Sequence, residues 1–257
     1  GTFTDGVLLD YATQDVLSSA KTLTTHGDLA RGVAGIIKKL DIDNPDRIEL
    51  VGISSTLATN SVAEGKLRRT GLILIGYDPA LVEQYGLANS FTAEVVGYFQ
   101  GGHTSQGAEQ APLDLEAIIA WVDEQKDTVD ALAVSAYFSP LNTTHEQAVF
   151  EAISKMSDLP VVLGHQLSTR LDSIKRAATA SLNASLVAVM HAFIAAVQSA
   201  LKERHIKAPL MVVKGNGSLM PQEEAVRKPV ETVLSGPAAS TIGGRFFSKA
   251  DRKSTRL

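Results

Sequence analysis

Gly1-Thr2-Phe3-Thr4-Asp5, followed at once by Gly6-Val7-Leu8-Leu9-Asp10, opens the chain. A small flexible residue, two hydroxyls and a carboxylate precede an apolar run that reads as a strand. Glycine admits close backbone approach, the hydroxyls donate hydrogen bonds, and the carboxylate can hold a metal or a water, so the stretch can wrap an anion. The same residues also suit plain turn chemistry beside a strand. The chain has no initiator Met and no strand ahead of this loop, and is therefore read as a fragment.

Composition bounds the possibilities. The 257 residues can bury one large α/β core or two modest ones. A hydrophobic content of 44% with 20% charged residues is that of a globular chain rather than a disordered one. Lys and Arg total 24 against 28 Asp and Glu, a net charge of −4, which gives no electrostatic case for nucleic acid. With no Cys, disulfides, thiol nucleophiles and thiolate metal sites are all excluded. No uninterrupted apolar run reaches membrane-spanning length, and the start lacks a basic-then-apolar signal pattern, so no membrane role and a cytoplasmic location are expected.

Outward from the opening stretch, strands and helices alternate. Val7–Leu9 and Val16–Lys21 read as two strands joined by a short turn. Thr24 or Thr25 can cap a helix running to Leu40, with Leu29, Val33, Ile36, Ile37 and Leu40 at helical spacing. Asn44-Pro45-Asp46 breaks it. Ile48–Ile53 reads as a buried strand, Ser54-Ser55-Thr56 caps a short helix holding Ala58-Thr59-Asn60, and Leu72–Ile75 is a second buried strand ended by Gly76-Tyr77-Asp78-Pro79. A Gly-rich loop, Gly101 to Gly107, follows a less regular stretch. The rhythm then resumes with a helix over 113–125, a strand Ala131–Phe138, a helix over 143–156 and a strand Val161–Leu163. An Ala- and Leu-rich helix or kinked pair from Ser173 to about His205 precedes the buried strand Leu210–Val213. The pattern predicts an α/β fold with helix-covered sheet faces, divided into residues 1–90 and 91–257.

Several common chemistries fail by inspection. Gly65-Lys66 is followed by Leu67, so the phosphate-loop ending is absent; Gly215-x-Gly217 lacks a third glycine for the dinucleotide fingerprint. His145-Glu146 has Val149 where a zinc-binding helix needs its second His, and Gly52-Ile53-Ser54 lacks the closing glycine of a nucleophile elbow.

The remaining motifs converge. Gly-Thr-Phe-Thr-Asp at 1–5 resembles the tail of the Asp-x-Gly-Gly-Thr-Phe-Thr-Asp loop of the hydantoinase/oxoprolinase family. Ser55-Thr56-Leu57-Ala58-Thr59-Asn60 is similar to its Thr-Thr-x-x-Thr-Asn segment, and Leu182-Asn183-Ala184 to the Asn-Ala turn of its long helix. Gly215-Asn216-Gly217-Ser218 is similar to its (Ser/Asp)-(Asp/Asn)-Gly-Gly loop. Pro229-Val230-Glu231-Thr232-Val233-Leu234-Ser235-Gly236-Pro237-Ala238, the most specific match, resembles its Pro-Val-x-Thr-x-Leu-Ser-Gly-Pro-Ala segment. Order and spacing agree from residue 1 to about 245.

The resemblance implies an actin-like ATPase (ribonuclease H-like) fold and an ATP-dependent enzyme that opens a cyclic amide such as hydantoin or 5-oxoproline. Relatives carboxylate ketones, and actin-like folds also serve as non-catalytic switches. It implies that Gly1, Thr2 and Thr4 face the nucleotide phosphates, with Asp5 holding a divalent metal (Mg or similar) or water. Asn60 is implied as a second catalytic residue, and Asn216, Gly217, Ser235 and Gly236 as substrate-binding. A second large subunit of the hydantoinase B type is implied as a partner. Neither a second phosphate loop nor an adenosine pocket follows Ala238, so poor nucleotide binding is expected of this fragment alone.

Departures from the family pattern are specific. Ser218 replaces the second glycine, Ser61 to Gly65 matches loosely, and only Asp172 remains of the acidic pair ahead of Arg176. Among the six His, His103 in the Gly-rich loop and His165 at a strand end are the candidate metal ligands. His145 reads as a capping-region residue and His191 as core.

Overall fold

The computed structural model describes residues 3–24 and 29–247; the expectations on Gly1, Thr2, Thr25 and the last ten residues lie outside them. In chain order the first elements are β1 (Phe3–Leu9), β2 (Val16–Leu23), α1 (Leu29–Lys39), β3 (Val51–Ile53), α2 (Leu57–Ala63), β4 (Thr70–Ile75), α3 (Pro79–Gln84), β5 (Val95–Phe99) and α4 (Leu115–Gln125). They are followed by β6 (Ala131–Ala136), α5 (Thr144–Ile153), β7 (Val161–Leu163), α6 (Gly164–Leu167), α7 (Ser173–Glu203), β8 (Leu210–Val213), β9 (Leu219–Pro221), α8 (Gln222–Arg227) and α9 (Ser235–Phe247).

Two compact units share the chain. The first comprises Gly1–Thr59, Val189–Val226 and Glu231–Leu257; the second comprises Asn60–Ala188 and Arg227–Val230. The division expected near residue 90 falls inside the second unit, where β5 pairs in parallel with β4 from Gly71–Val95 to Ile75–Phe99. A boundary there would sever a sheet.

The second unit is built on a parallel sheet of order β5-β4-β6-β7. Every residue of β4 and β6 is buried, which is why both read as unbroken apolar runs instead of alternating ones. Their side chains still alternate between faces. Ile73, Ile75, Leu132 and Val134 pack with Ile118 and Val122 of α4 and Val149 and Ile153 of α5. Leu72, Leu74, Ala131 and Ala133 pack with Ala177, Ala180 and Ala184 of α7. Asp78 and Asp114 start α3 and α4 as side-chain caps, accepting from the amides of Ala80 and Ala117.

In the first unit β1 and β2 form an antiparallel hairpin with a register shift between Leu8 and Leu9. α1 crosses it at Gly6, where a Cβ would stand 2.3 Å from Ile36 Cγ2. A second sheet, β3-β8-β9, pairs β3 and β8 in parallel and β8 and β9 antiparallel. Its core joins Ile37 of α1 to Met190, Phe193, Ile194 and Val197 of α7 and to Leu210 and Val212 of β8. β3 is shorter than the expected Ile48–Ile53 because its partner β8 begins only at Leu210, opposite Val51; ahead of it Pro45–Arg47 forms a 3-10 turn, its Asp46 amide donating to Asn44 Oδ1 at 3.0 Å. α7 is long and apolar enough to cross a membrane by length and composition, a property the search for uninterrupted apolar runs did not reveal. Its buried apolar side chains, Leu186 apart, belong to these two cores.

Candidate functional site

Three regions carry the residues singled out from sequence. In β1, residues 3–9 alternate between exposed and half-buried, with Thr4 on the covered face and Asp5 on the exposed one. Thr4 Oγ1 shares a 3.1 Å hydrogen bond with Thr24 Oγ1. Asp5 pairs with Lys21 at 3.4 Å on the open face, where the Lys21 ammonium also lies 4.6 Å from the Phe3 ring centroid. Successive residues of a strand face opposite ways, so Thr4 and Asp5 lie on different faces of β1.

The second region gathers three motifs of the first unit. α2 starts where Ser55 Oγ accepts from the Leu57 amide at 3.0 Å. α9 starts with Ser235, fully buried, whose Oγ donates to Ser55 O at 2.9 Å. Leu234 adopts a left-handed backbone (φ 63°), and its amide donates to Thr59 Oγ1 at 2.9 Å. Gly236 packs so closely that a Cβ would stand 3.2 Å from Thr56 Cγ2. The Gly215 amide donates to Glu231 O at 2.7 Å, and a Cβ there would meet Val233 O at 2.2 Å, so only glycine fits. The Lys214 ammonium pairs with the Glu231 carboxylate. Asn216 and Gly217 form the turn between β8 and β9, with Asn216 Oδ1 accepting from the amide and the hydroxyl of Ser218. The serine that replaces the family's second glycine thus locks the turn onto Asn216. Segments 55–59, 214–218 and 231–236 converge through main-chain contacts. Asn60, next in the chain, lies half-buried in α2 and its carbonyl accepts from the Glu64 amide at 2.8 Å.

The third region lies at the carboxyl ends of the second unit's parallel strands, where ligands of open α/β sheets bind. His103 follows β5 and is fully buried, its Nε2 3.2 Å from Thr144 Oγ1 and its Nδ1 unpartnered. Its ring stacks on His145 with centroids 4.3 Å apart. Burial, and then the neighbouring His145 ring, hold the His103 pKa below the ordinary imidazole value. His145 is no cap: it is buried, its Nδ1 accepts from the Gly102 amide at 3.0 Å and its Nε2 reaches Glu109 Oε1 at 2.9 Å. Glu146 is completely buried, and its carboxylate accepts from the Ala136 amide (2.9 Å), the His165 amide (3.0 Å) and His165 Nδ1 (2.5 Å). Arg176, also buried, donates to Ala136 O at 2.8 Å, Arg170 O at 3.0 Å and Ser173 Oγ at 3.2 Å. The Tyr77 hydroxyl donates to Ser173 O and shares a second bond with Ser135 Oγ, and burial raises its pKa.

His103 and His165 therefore have separate partners, Thr144 and His145 for one and Glu146 for the other. Among the described residues no three His, Asp or Glu side chains are grouped to hold a metal ion. Sequence reasoning missed Glu146 and Tyr77 altogether. The adjacent His145-Glu146 pair on a helix start was the one available signal, and it was read only against the zinc pattern. His191 is exposed and not core. Asn183 of α7 donates to Arg227 O at 2.8 Å and accepts from the Val230 amide at 3.1 Å.

The sheet order, the hairpin with its strand-borne Thr and Asp, and the three convergent motifs define an actin-like ATPase-type fold. The nucleotide-free structure of acetone carboxylase superposes with a TM-score of 0.82 at 16% identity, over 96% of this chain and 39% of that one. The crystal structure of the ATP-dependent caprolactamase from Pseudomonas jessenii gives a TM-score of 0.79 at 26% identity, over 97% of this chain and 39% of that one. The chain belongs to the hydantoinase/oxoprolinase family: the family's N-terminal region matches residues 1–157, and its hydantoinase/oxoprolinase region matches residues 176–255. In sequence it is 28% identical over 269 residues to caprolactamase subunit alpha of Pseudomonas jessenii, covering 95% of this chain and 38% of the relative. It is 24% identical over 284 residues to the acetophenone carboxylase gamma subunit of Aromatoleum aromaticum, covering 96% and 38%. The chain thus spans about two fifths of these relatives, both named as subunits.

Proposed function

We propose that the whole protein is a cytoplasmic, ATP-dependent hydrolase that opens a small cyclic amide, working with a second large subunit of the hydantoinase B type. The observation that carries this reading is the 28% identity to caprolactamase subunit alpha along 95% of the chain. The convergence of segments 55–59, 214–218 and 231–236, which hold most of the family motifs, supports it. A cyclic amide resists water because its carbonyl is poorly electrophilic, and transfer of a phosphoryl group to that oxygen overcomes the resistance. Such transfer relies on positioning and charge neutralisation more than on covalent chemistry by the protein. In this reading Thr2 and Thr4 donate to phosphate oxygens, and the substrate roles of Asn216, Gly217, Ser235 and Gly236 and the catalytic role of Asn60 are those the family resemblance implies. Magnesium needs only one or two protein carboxylates beside phosphate oxygens and water, and Asp5, exposed on β1, fits that demand. Bound there, the ion would offset phosphate charge.

Ketone carboxylation by the same fold is the second reading, favoured by the likeness to the acetophenone carboxylase gamma subunit over 96% of the chain. Asp5→Asn in the whole protein with its partner subunit tests the shared machinery. Substrate-stimulated ATP hydrolysis should fall about a hundredfold with the circular dichroism spectrum unchanged. Undiminished turnover would remove Asp5 from the nucleotide site.

A further inference from the structure

The three imidazoles at the carboxyl ends of the second unit's strands differ in one respect. His145 has both ring nitrogens engaged, by Gly102 and by Glu109, as a purely structural histidine does. His103 has an unpartnered Nδ1, but the residue is wholly enclosed. His165 combines a single partner with access. Its Nδ1 is held by Glu146 at 2.5 Å, its Nε2 has no hydrogen-bond partner among the described residues, and its side chain keeps 15% exposure. A carboxylate that accepts the Nδ1 proton fixes the tautomer in which Nε2 presents a lone pair. Glu146 is itself immobilised by the Ala136 and His165 amides and has no exposure, so the ring's orientation is built into the core.

The strand ends around it are tightly packed. Gly76, Gly101 and Gly102, all at positive φ, pack backbone to backbone at the ends of β4 and β5. Phe138, just past β6, is held at φ 53°, a strained conformation for a bulky residue. Beyond His103 Nδ1, the buried atoms Ser139 Oγ and Arg176 Nε also lack partners. Both belong to residues bonded to the Ala136 carbonyl, one residue unit from the Glu146 contact.

A histidine backed by a carboxylate is also the pattern of a metal ligand with its outer partner. A metal needs further ligands, and the described residues supply no group of three. We infer that His165 Nε2 is the proton acceptor of a small-molecule site at the carboxyl end of this sheet, with Glu146 as its positioning residue. The site takes a ligand that offers an N–H, and the class is a cyclic amide with a free ring N–H. That ligand class rests on the functional reading above; the orientation of the lone pair does not.

Acylation by diethyl pyrocarbonate, followed site by site by mass spectrometry on the 257-residue chain, reads the lone pair without any assay of turnover. His165 should be modified about tenfold faster in the native chain than in Glu146→Gln, while exposed His191 is modified equally in both. Glu146→Asp, which keeps the carboxylate, should restore part of the rate. A five-membered lactam or hydantoin at millimolar concentration should slow His165 and leave His191 untouched. Equal His165 rates in native chain and Glu146→Gln, with circular dichroism showing both folded, would overturn the proposal. So would stoichiometric zinc or manganese binding that is lost in His165→Ala. Failure of every lactam and hydantoin to protect would overturn the ligand class. Absence of ring opening by the whole protein, despite protection, would count against the functional reading alone.

Discussion

Glu146 is the buried acceptor for two main-chain amides and one imidazole in the second unit. Removing it leaves the Ala136 and His165 amides without their acceptor. Glu146→Ala should therefore cost about 3–5 kcal/mol, read as a lowered urea midpoint. A loss under about 1 kcal/mol would mean that water replaces the carboxylate. His103 predicts a pH dependence. Burial depresses its pKa from the ordinary 6.5, so below that value the unfolded chain binds a proton that the folded chain resists. Stability from this group is full above pH 6.5 and declines as the pH falls through and below it. The melting temperature should drop more steeply between pH 7 and 5.5 in the native chain than in His103→Leu; parallel slopes would contradict the assignment. None of this was legible in the sequence. His145 and Glu146 stand side by side at a helix start, and their partners come from other elements: the end of β6, the start of α6 and the Gly101-Gly102 turn. The tool that a sequence offers for such a pair, ligand spacing along a helix, tests for a metal and is blind to a carboxylate that serves backbone amides.

Elements were legible in proportion to how local their causes are. β4, β6, β7 and β8 announce themselves as apolar runs bounded by breakers, and the caps Asp78 and Asp114 stand immediately before the helices they start. Element ends were less so. β3 starts only where its partner β8 does, and β9 exists because the Asn216 turn returns the chain against β8. The glycines at element ends lend themselves to direct testing. Gly76 has φ 78°, and a Cβ there would stand 2.7 Å from Gly101 O, a backbone atom that cannot swing away. Gly76→Ala should destabilise by about 2 kcal/mol or more, measured by denaturant unfolding. Gly35→Ala in α1, where a Cβ meets nothing within 4 Å, should be neutral or stabilising. A Gly76→Ala variant as stable as Gly35→Ala would show that the β4 and β5 ends relax freely.

At the scale of the molecule, the chain enters and leaves each unit more than once, so no linear cut separates them. A boundary placed at residue 90 looked reasonable because the α/β rhythm weakens there. The pairing of β4 with β5 is a parallel, non-local contact that composition does not signal. Family membership was legible because its motifs are short and main-chain driven: Gly215 cannot bear a Cβ, and Ser235 caps α9 onto Ser55. The substrate was not, since ring recognition depends on side chains that three-dimensional packing alone brings together. The central claim is that ATP is spent on opening a ring, and it is tested most directly by product analysis. The whole protein with its partner subunit is supplied with ATP and a panel of lactams, hydantoins and 5-oxoproline, and ADP and organic products are quantified together. The account predicts that one class of ring stimulates ATP consumption and yields free ring-opened product in matching amount. ATP consumption stimulated only by a ketone with bicarbonate, giving a carboxylated product, would contradict it.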